Sequence, residues 1–399
     1  MSIIEAPASS PRFVVTILGL TQIMAWGSSY YLPAVIAPAV SADAGWPLAW
    51  IVGGLSLGLL VAGLISPRVG SAIDRHGGRL VLALSAVCLG IGQIVLAVSP
   101  NLPVFILGWL IAGLGMGAGL YDAAFSTLGR LYGAKARPLI TGLTLFGGLA
   151  STVCWPISAY LLSEFGWRAT CATYAAVQLF VSLPIYLVAL PTSGSGKIAA
   201  LQKRDVASTA AAQSRPALLV ITLAGALTLS AVISSTLSVH MLAVLQSGGI
   251  ALATAVGLGA LVGPSQVTAR AIEMSIAKYH HPIWTKVGSV GFVLIGVSSL
   301  WLGLSLLPIA LFFYGAGIGL ESIARGTLPL ALFGAEGYAT LMGRLAMPSL
   351  IAQAIAPSVG ALLLESFGAQ GLLSTLSALA LLNIALVGAL AVLTWRVQG

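Results

Sequence analysis

An arginine at position 270 closes an apolar run, in the stretch Gly263-Pro-Ser-Gln-Val-Thr-Ala-Arg-Ala-Ile-Glu273. Burying a guanidinium at the centre of a bilayer costs at least about 2.5 kcal/mol, so a chain that keeps one there aims it at a cavity, a partner or a substrate. Glu273, three residues on, offers the plain alternative, a locally paired arginine that snorkels to the interface. Three other ionisable side chains lie in apolar runs and could handle charge: Asp122, Glu321 and Arg325. Glu321 and Arg325 are four apart on one helix face and can neutralise each other. The same pair would be switchable if an anionic substrate competed for Arg325 and freed Glu321 to take up a proton. Asp122 has no basic residue within one turn of its own helix, so it is either paired across an interface or protonated. Trp26, Ser29, Tyr30, Gln93, Tyr121, Trp155 and Gln266 together describe a pocket with apolar walls and few polar anchors. His240 reads as a packed polar residue and Arg344 as an interfacial cation.

Composition says what must position these groups. Of 399 residues, 58% are hydrophobic and only 7% charged, against about 25% charged in a soluble domain. The chain is therefore expected to be an integral, all-α membrane protein. Its net charge of +8 does not form an aromatic-interleaved face, and nucleic acid is not an expected partner. Cys88, Cys154 and Cys171 lie in apolar segments without metal-ligand spacing and read as small packed hydrophobes. No phosphate-cradling motif, metal cluster or nucleophile with a positioned base occurs, so no cofactor, metal or enzymatic reaction is expected. The first apolar run is too long for a cleavable signal peptide.

At about 20 apolar residues per crossing, twelve spans are expected, near 13–40, 48–70, 79–98, 103–127, 138–162, 169–190, 216–245, 250–274, 283–304, 307–332, 340–364 and 370–394. The loops after even-numbered spans hold Arg68, Arg75 and Arg79, then Arg130, Lys135 and Arg137, then Lys197, Lys203, Arg204 and Arg215, then Lys278 and Lys286, then Arg344. Arg168 is the one clear cation on the other side. That bias puts both termini in the cytoplasm, with a bacterial inner membrane as the expected location and a monomer as the expected state. Residues 191–215 form the one long polar linker, separating an amino-terminal bundle (1–190) from a carboxy-terminal bundle (216–399). The halves echo each other: Pro156 to Gly166 (PISAYLLSEFG) matches Pro357 to Gly368 (PSVGALLLESFG), and Gly115-Met-Gly117 matches Gly317-Ile-Gly319. Two six-span bundles with pseudo-symmetry are the plan of transporters whose halves rock around a midplane site.

Between spans 2 and 3, Gly70-x-x-x-Asp74-Arg75-x-Gly77-Gly78-Arg79 resembles the loop motif of the major facilitator superfamily. The resemblance implies a gating latch, with Asp74 at a helix end facing another helix N-terminus and a neighbouring arginine. A narrower resemblance is to the monocarboxylate porter family. It rests on Ser29-Tyr30-Tyr31-Leu32-Pro33-Ala34, on Tyr132-x-x-Lys135-x-Arg137-x-Leu139-x-x-Gly142, and on Gln266-Val-Thr-Ala-Arg270. Ala34 stands where that family has its proton-coupling lysine and Gln266 where it has an aspartate, while the carboxylate-binding arginine is matched by Arg270. The implied function is transport of a small organic anion by alternating access, with proton coupling open. Arg270 and Arg325 would bind the anion with Gln266, Tyr30, Ser29, Trp26, Tyr121 and Trp155, and Asp122 or Glu321 would couple. Efflux of amphiphilic or cationic compounds and uptake of a larger nutrient such as a vitamin stay open. Trp109, where proton-coupled relatives often carry arginine, and Trp155-Pro156, where drug antiporters carry Gly-Pro, weigh against a multidrug antiporter.

Overall fold

In the computed structural model, residues 10–191, 217–303 and 306–398 are described; the linker beyond Pro191, with Lys197, Lys203, Arg204 and Arg215, lies outside them. Among the described residues every regular element is helical, because hydrocarbon offers no partner for a backbone N–H or C=O and a helix satisfies both internally. Among the described residues, nine apolar helical stretches are long enough to cross a membrane. Leu102–Ala189 holds three crossings and Tyr338–Trp395 two, which brings the total to twelve in two six-helix bundles.

The first bundle comprises α1 (Pro11–Ser28), α2 (Pro33–Ala44), α3 (Leu48–His76), α4 (Gly78–Ala97), α5 (Leu102–Gly119), α6 (Tyr121–Tyr132), α7 (Ala136–Gly148), α8 (Ala150–Val177) and α9 (Leu183–Ala189). The second comprises α10 (Ala217–Ser247), α11 (Leu252–Gly259), α12 (Val262–Ile276), α13 (Pro282–Trp301), α14 (Leu307–Phe333) and α15 (Tyr338–Gln398). Caps set several starts: Ser10 Oγ accepts from Phe13 N, and Asn101 Oδ1 from Val104 N, each satisfying a donor the first turn leaves orphaned. His281 does the same for α13, its Nδ1 accepting from Ile283 N at 3.2 Å. Burial, then the nearby Arg137 and His280, hold the His281 pKa below its ordinary value, which keeps that nitrogen an acceptor.

Two spans read as continuous are broken. The first stops at Ser28 and restarts at Pro33, where proline lacks the N–H that would bond back one turn. The fourth breaks at Leu120, which is extended at φ −79°, ψ −169°. Both breaks fall beside the candidate pocket. The internal repeat has a structural counterpart in Gly166 (φ 77°) and Gly368 (φ 66°), which turn the chain between crossings inside α8 and α15. Positive φ suits glycine and strains other residues, which accounts for a glycine closing both copies of the repeat.

The bundles meet closely at one end. A Cβ on Gly70 of α3 would overlap the Ala339 carbonyl of α15, and one on Gly343 would overlap the Ser66 carbonyl, so the two backbones cross at glycine distance. Leu330, Tyr338, Ala339 and Met342 of the second bundle share a core cluster with Val14, Ile73, Phe125 and Ile140 of the first. Among the described residues, every hydrogen bond between the bundles lies at this end or near mid-depth. At the opposite end Asp43 of α2 is held by Trp167 and Arg168 of α8, within the first bundle. The end bearing Asp74 and Tyr338, where the bundles meet at glycine distance, is the closed end. Gly343→Ala is expected to destabilise the closed arrangement by about 1–3 kcal/mol, the cost of overpacking against backbone. A lowered melting temperature of the purified protein would register it, and an unchanged one would refute the close crossing.

Candidate functional site

Arg270 is 4% exposed. Its Nη1 donates to the Thr144 carbonyl of α7 at 3.0 Å, Nε to the Gly319 carbonyl at 3.4 Å and Nη2 to Gln266 Oε1 at 3.2 Å. All three acceptors are neutral, and among the described residues no carboxylate pairs with it. The local partner offered by the sequence is engaged elsewhere: Glu273, also buried, accepts from Thr285 Oγ1 at 2.6 Å and lies 3.5 Å from His280 Nε2. Arg270 therefore does not snorkel with Glu273.

Adjacent glycines on α7 seat Arg270 and an aromatic neighbour. A side chain at Gly148 would collide with Arg270 Nη1, and one at Gly147 with the Tyr121 hydroxyl. Tyr121 also donates to the Thr144 carbonyl, at 3.3 Å, so tyrosine and arginine share one acceptor. From Tyr121 a wall of rings extends away. Trp26 lies 5.1 Å from Tyr121 and 5.3 Å from Tyr30, centroid to centroid; Tyr31 is 5.4 Å from Tyr30, and Trp155 is 6.1 Å from Tyr31. Gln22, fully buried, fixes the wall by accepting from Trp26 Nε1 while its amide donates to the Gly119 carbonyl at the α5 break. Trp155 Nε1 donates to the Tyr31 carbonyl, and a hollow of about 510 Å³ lined by Ala34, Val35, Thr152 and Trp155 opens beside it. Ser29 is fully buried, and its hydroxyl donates to Ala25 O at 2.6 Å, back onto α1. Gln93 likewise sits in the first bundle's core and donates to the Ser28 carbonyl.

The remaining intramembrane charges pair differently from the local expectation. Glu321 and Arg325 do not bond each other. Arg325 forms a two-pronged bond to Asp122 of α6, Nε to Oδ1 at 2.8 Å and Nη2 to Oδ2 at 2.9 Å, joining the bundles. Glu321 takes Lys286 of α13, with Nζ to its two oxygens at 2.6 and 2.7 Å, and accepts from Ser289 Oγ at 2.8 Å. The four-residue rule loses because a planar fork on a facing carboxylate and an ammonium held by two oxygens are stronger than one same-helix contact. Lys286, read above as a loop cation, is fully buried and also donates to Ser230 Oγ at 3.0 Å. Pairing is what allows it there. Replacing Lys286 with methionine leaves Glu321 without its ammonium and is expected to cost about 3–5 kcal/mol, seen as a fall in melting temperature. Lys286→Met combined with Glu321→Gln is expected to recover most of it; equal damage in both variants would show that the ammonium is not Glu321's counterion.

At the closed end Asp74 Oδ2 accepts from Thr340 N at 2.7 Å and from Thr340 Oγ1 at 2.5 Å, capping α15. Arg75 is exposed and Arg79 donates to the Leu187 carbonyl, so neither arginine pairs with Asp74. Arg137 Nη2 bridges to Ala277 O and His280 O at 2.6 and 2.7 Å, a bundle-to-bundle bond the sequence did not single out. His240 packs against the Pro357 carbonyl.

Comparison with known proteins fixes the family, since residues 17–320 match the model of the Major Facilitator Superfamily. The chain belongs to that superfamily. The superfamily is one of membrane transporters rather than enzymes. The chain is 27% identical over 174 residues to the 4-hydroxybenzoate transporter PcaK of Acinetobacter baylyi, a stretch covering 41% of this chain and 36% of that protein. Over 144 residues it is 29% identical to a multidrug resistance protein B homologue of Mycobacterium tuberculosis, covering 36% and 24%. The chain thus matches well under half of these relatives' length. Its fold is similar to that of a human organic anion transporter (TM-score 0.71, 19% identity, 95% of this chain and 100% of that one). It is likewise similar to the proton:xylose symporter XylE (TM-score 0.78, 13% identity, 95% of each). These structural likenesses speak to the fold alone.

Proposed function

We propose that this protein transports a small organic anion bearing a carboxylate and an aromatic or apolar body, by alternating access between the bundles 1–190 and 216–399. The observation carrying this reading is Arg270, a buried cation satisfied by neutral acceptors alone and standing at the foot of a wall of aromatic rings. A carboxylate is a stronger acceptor than a carbonyl, so an arriving anion takes Arg270 from Thr144 O, while Trp26, Tyr30, Tyr31, Tyr121 and Trp155 flank its body. Thr144 belongs to the first bundle and Arg270 to the second, so the exchange removes a bond between them and ties occupancy to the closed end. Asp122 is the proposed coupling acid: a proton on it weakens its hold on Arg325, the other mid-depth bond between bundles. Gly70 and Asp74 form the proposed gate with Thr340. Their loop side is the cytoplasm by the positive-inside rule, in a bacterial inner membrane.

Similarity to a 4-hydroxybenzoate transporter supports the same substrate class. Export of cationic compounds is less well supported, because Asp122 and Glu321, the acids that would bind them, each already hold a cation. The test is quenching of tryptophan fluorescence in the purified protein by 4-hydroxybenzoate, benzyl alcohol and benzylamine. Saturable quenching by the anion alone is expected; saturable quenching by the amine alone would sink the reading.

A further inference from the structure

A groove of about 410 Å³ at the closed end is lined by Pro67, Arg68, Ser71, Ala72, Arg75 and His76 of α3 and by Arg344 of α15. All of its arginines are exposed, and none is in an ion pair among the described residues. Residues 68, 71, 72, 75 and 76 recur at one helical turn, so Arg68 and Arg75 project from one face of α3, and Arg344 reaches the same hollow from the other bundle. No carboxylate lines the groove, and the nearest in sequence, Asp74, is spent on Thr340. A general excess of cations on one membrane face would explain their sign. It does not explain three guanidinium groups from both bundles converging on one cavity, where they repel one another unless an anion sits between them.

We propose that this groove binds a phosphate group, and that the bound phosphate clamps α3 to α15 and holds this end closed. Guanidinium forks match phosphate oxygens in geometry and charge. The phosphate is that of an acidic phospholipid headgroup or of a free phosphate ion. The site is separate from Arg270 and does not depend on which substrate is carried.

The test uses the full-length protein in nanodiscs of phosphatidylcholine, of phosphatidylcholine with phosphatidylglycerol, and of phosphatidylcholine titrated with inorganic phosphate. Two readouts are melting temperature and the distance between spin labels at Lys135→Cys and Tyr279→Cys, in a protein whose three native cysteines are replaced. A rise in melting temperature and a shorter, narrower distance with phosphatidylglycerol alone assign a lipid headgroup; the same changes with inorganic phosphate assign a soluble anion. In either case Arg344→Gln is expected to weaken the response at least about tenfold, as loss of a charge-assisted bond does, and Arg12→Gln, outside the groove, to leave it unchanged. Absence of a response to both probes overturns the proposal, as does a response that Arg344→Gln and Arg75→Gln leave intact in proteins that melt normally.

Discussion

Methionine at position 270 is expected to weaken anion binding about thirtyfold or more while leaving the unliganded protein as stable as before, or more so. A buried guanidinium without a carboxylate is a net cost that its three neutral acceptors only partly offset. Arg270→Met keeps the apolar stem and removes the charge, and the Thr144 carbonyl still accepts from Tyr121. Binding suffers in the opposite sense: stripping the cation from a buried carboxylate costs about 2–5 kcal/mol, an affinity loss of about thirtyfold or more. Arg270→Lys, with charge but no fork, is expected to fall between. Measuring melting temperature and 4-hydroxybenzoate affinity on the same preparations separates the outcomes. A large drop in stability with affinity unchanged would make Arg270 structural.

Asp122 and Arg325 lead to an expected order of effects. Arg325→Gln leaves Asp122 near mid-depth with no other cation bonded to it, at a cost of about 3–5 kcal/mol. Asp122→Asn costs less, because Arg325 has Glu321 one turn away on its own helix and can turn toward it. Both variants are expected to lengthen the distance between Lys135→Cys and Tyr279→Cys labels, since the lost bond joins the bundles. The double variant Asp122→Asn with Arg325→Gln is expected to be more stable than Arg325→Gln alone. If Asp122→Asn proves the more damaging single change, Glu321 is not the alternative partner.

The reach and the failure of sequence reasoning are both visible in these charges. Arg270 stood out because a guanidinium in an apolar run is costly wherever it points, and that cost is a property of the sequence. One of the two alternatives for Asp122, a partner across an interface, matches its bond to Arg325, but the partner's identity is a long-range fact separated by some two hundred residues of chain. Glu321 and Arg325 misled for the same reason: spacing reports which side chains can meet on one helix, and here each found a better-oriented partner on another. Lys286 was misplaced because His280, His281 and Pro282 precede it and make its surroundings look like a loop, whereas its partners Glu321 and Ser230 come from other spans. The helix breaks at Ser29–Leu32 and Leu120 escaped a search tuned to long apolar runs, although Pro33 and the glycines before Leu120 were there to signal them. Twelve crossings and the repeated turn at Gly166 and Gly368 were legible because hydropathy and positive φ leave marks in residue type.

Lys286 and Glu321 lie on consecutive crossings, and that neighbourhood bears on how the chain is made. A lone lysine in a nascent span opposes insertion, by about 2.5–3.5 kcal/mol at a span's centre and less toward its ends, and its neutralising carboxylate emerges from the ribosome only with the following span. The segment from Pro282 to Phe333 then enters the bilayer as a hairpin, its first limb waiting on its second. Chains truncated after residue 303 should accordingly insert that limb less efficiently than chains extended through residue 333, and Glu321→Ala should erase the difference, in a glycosylation-mapping assay.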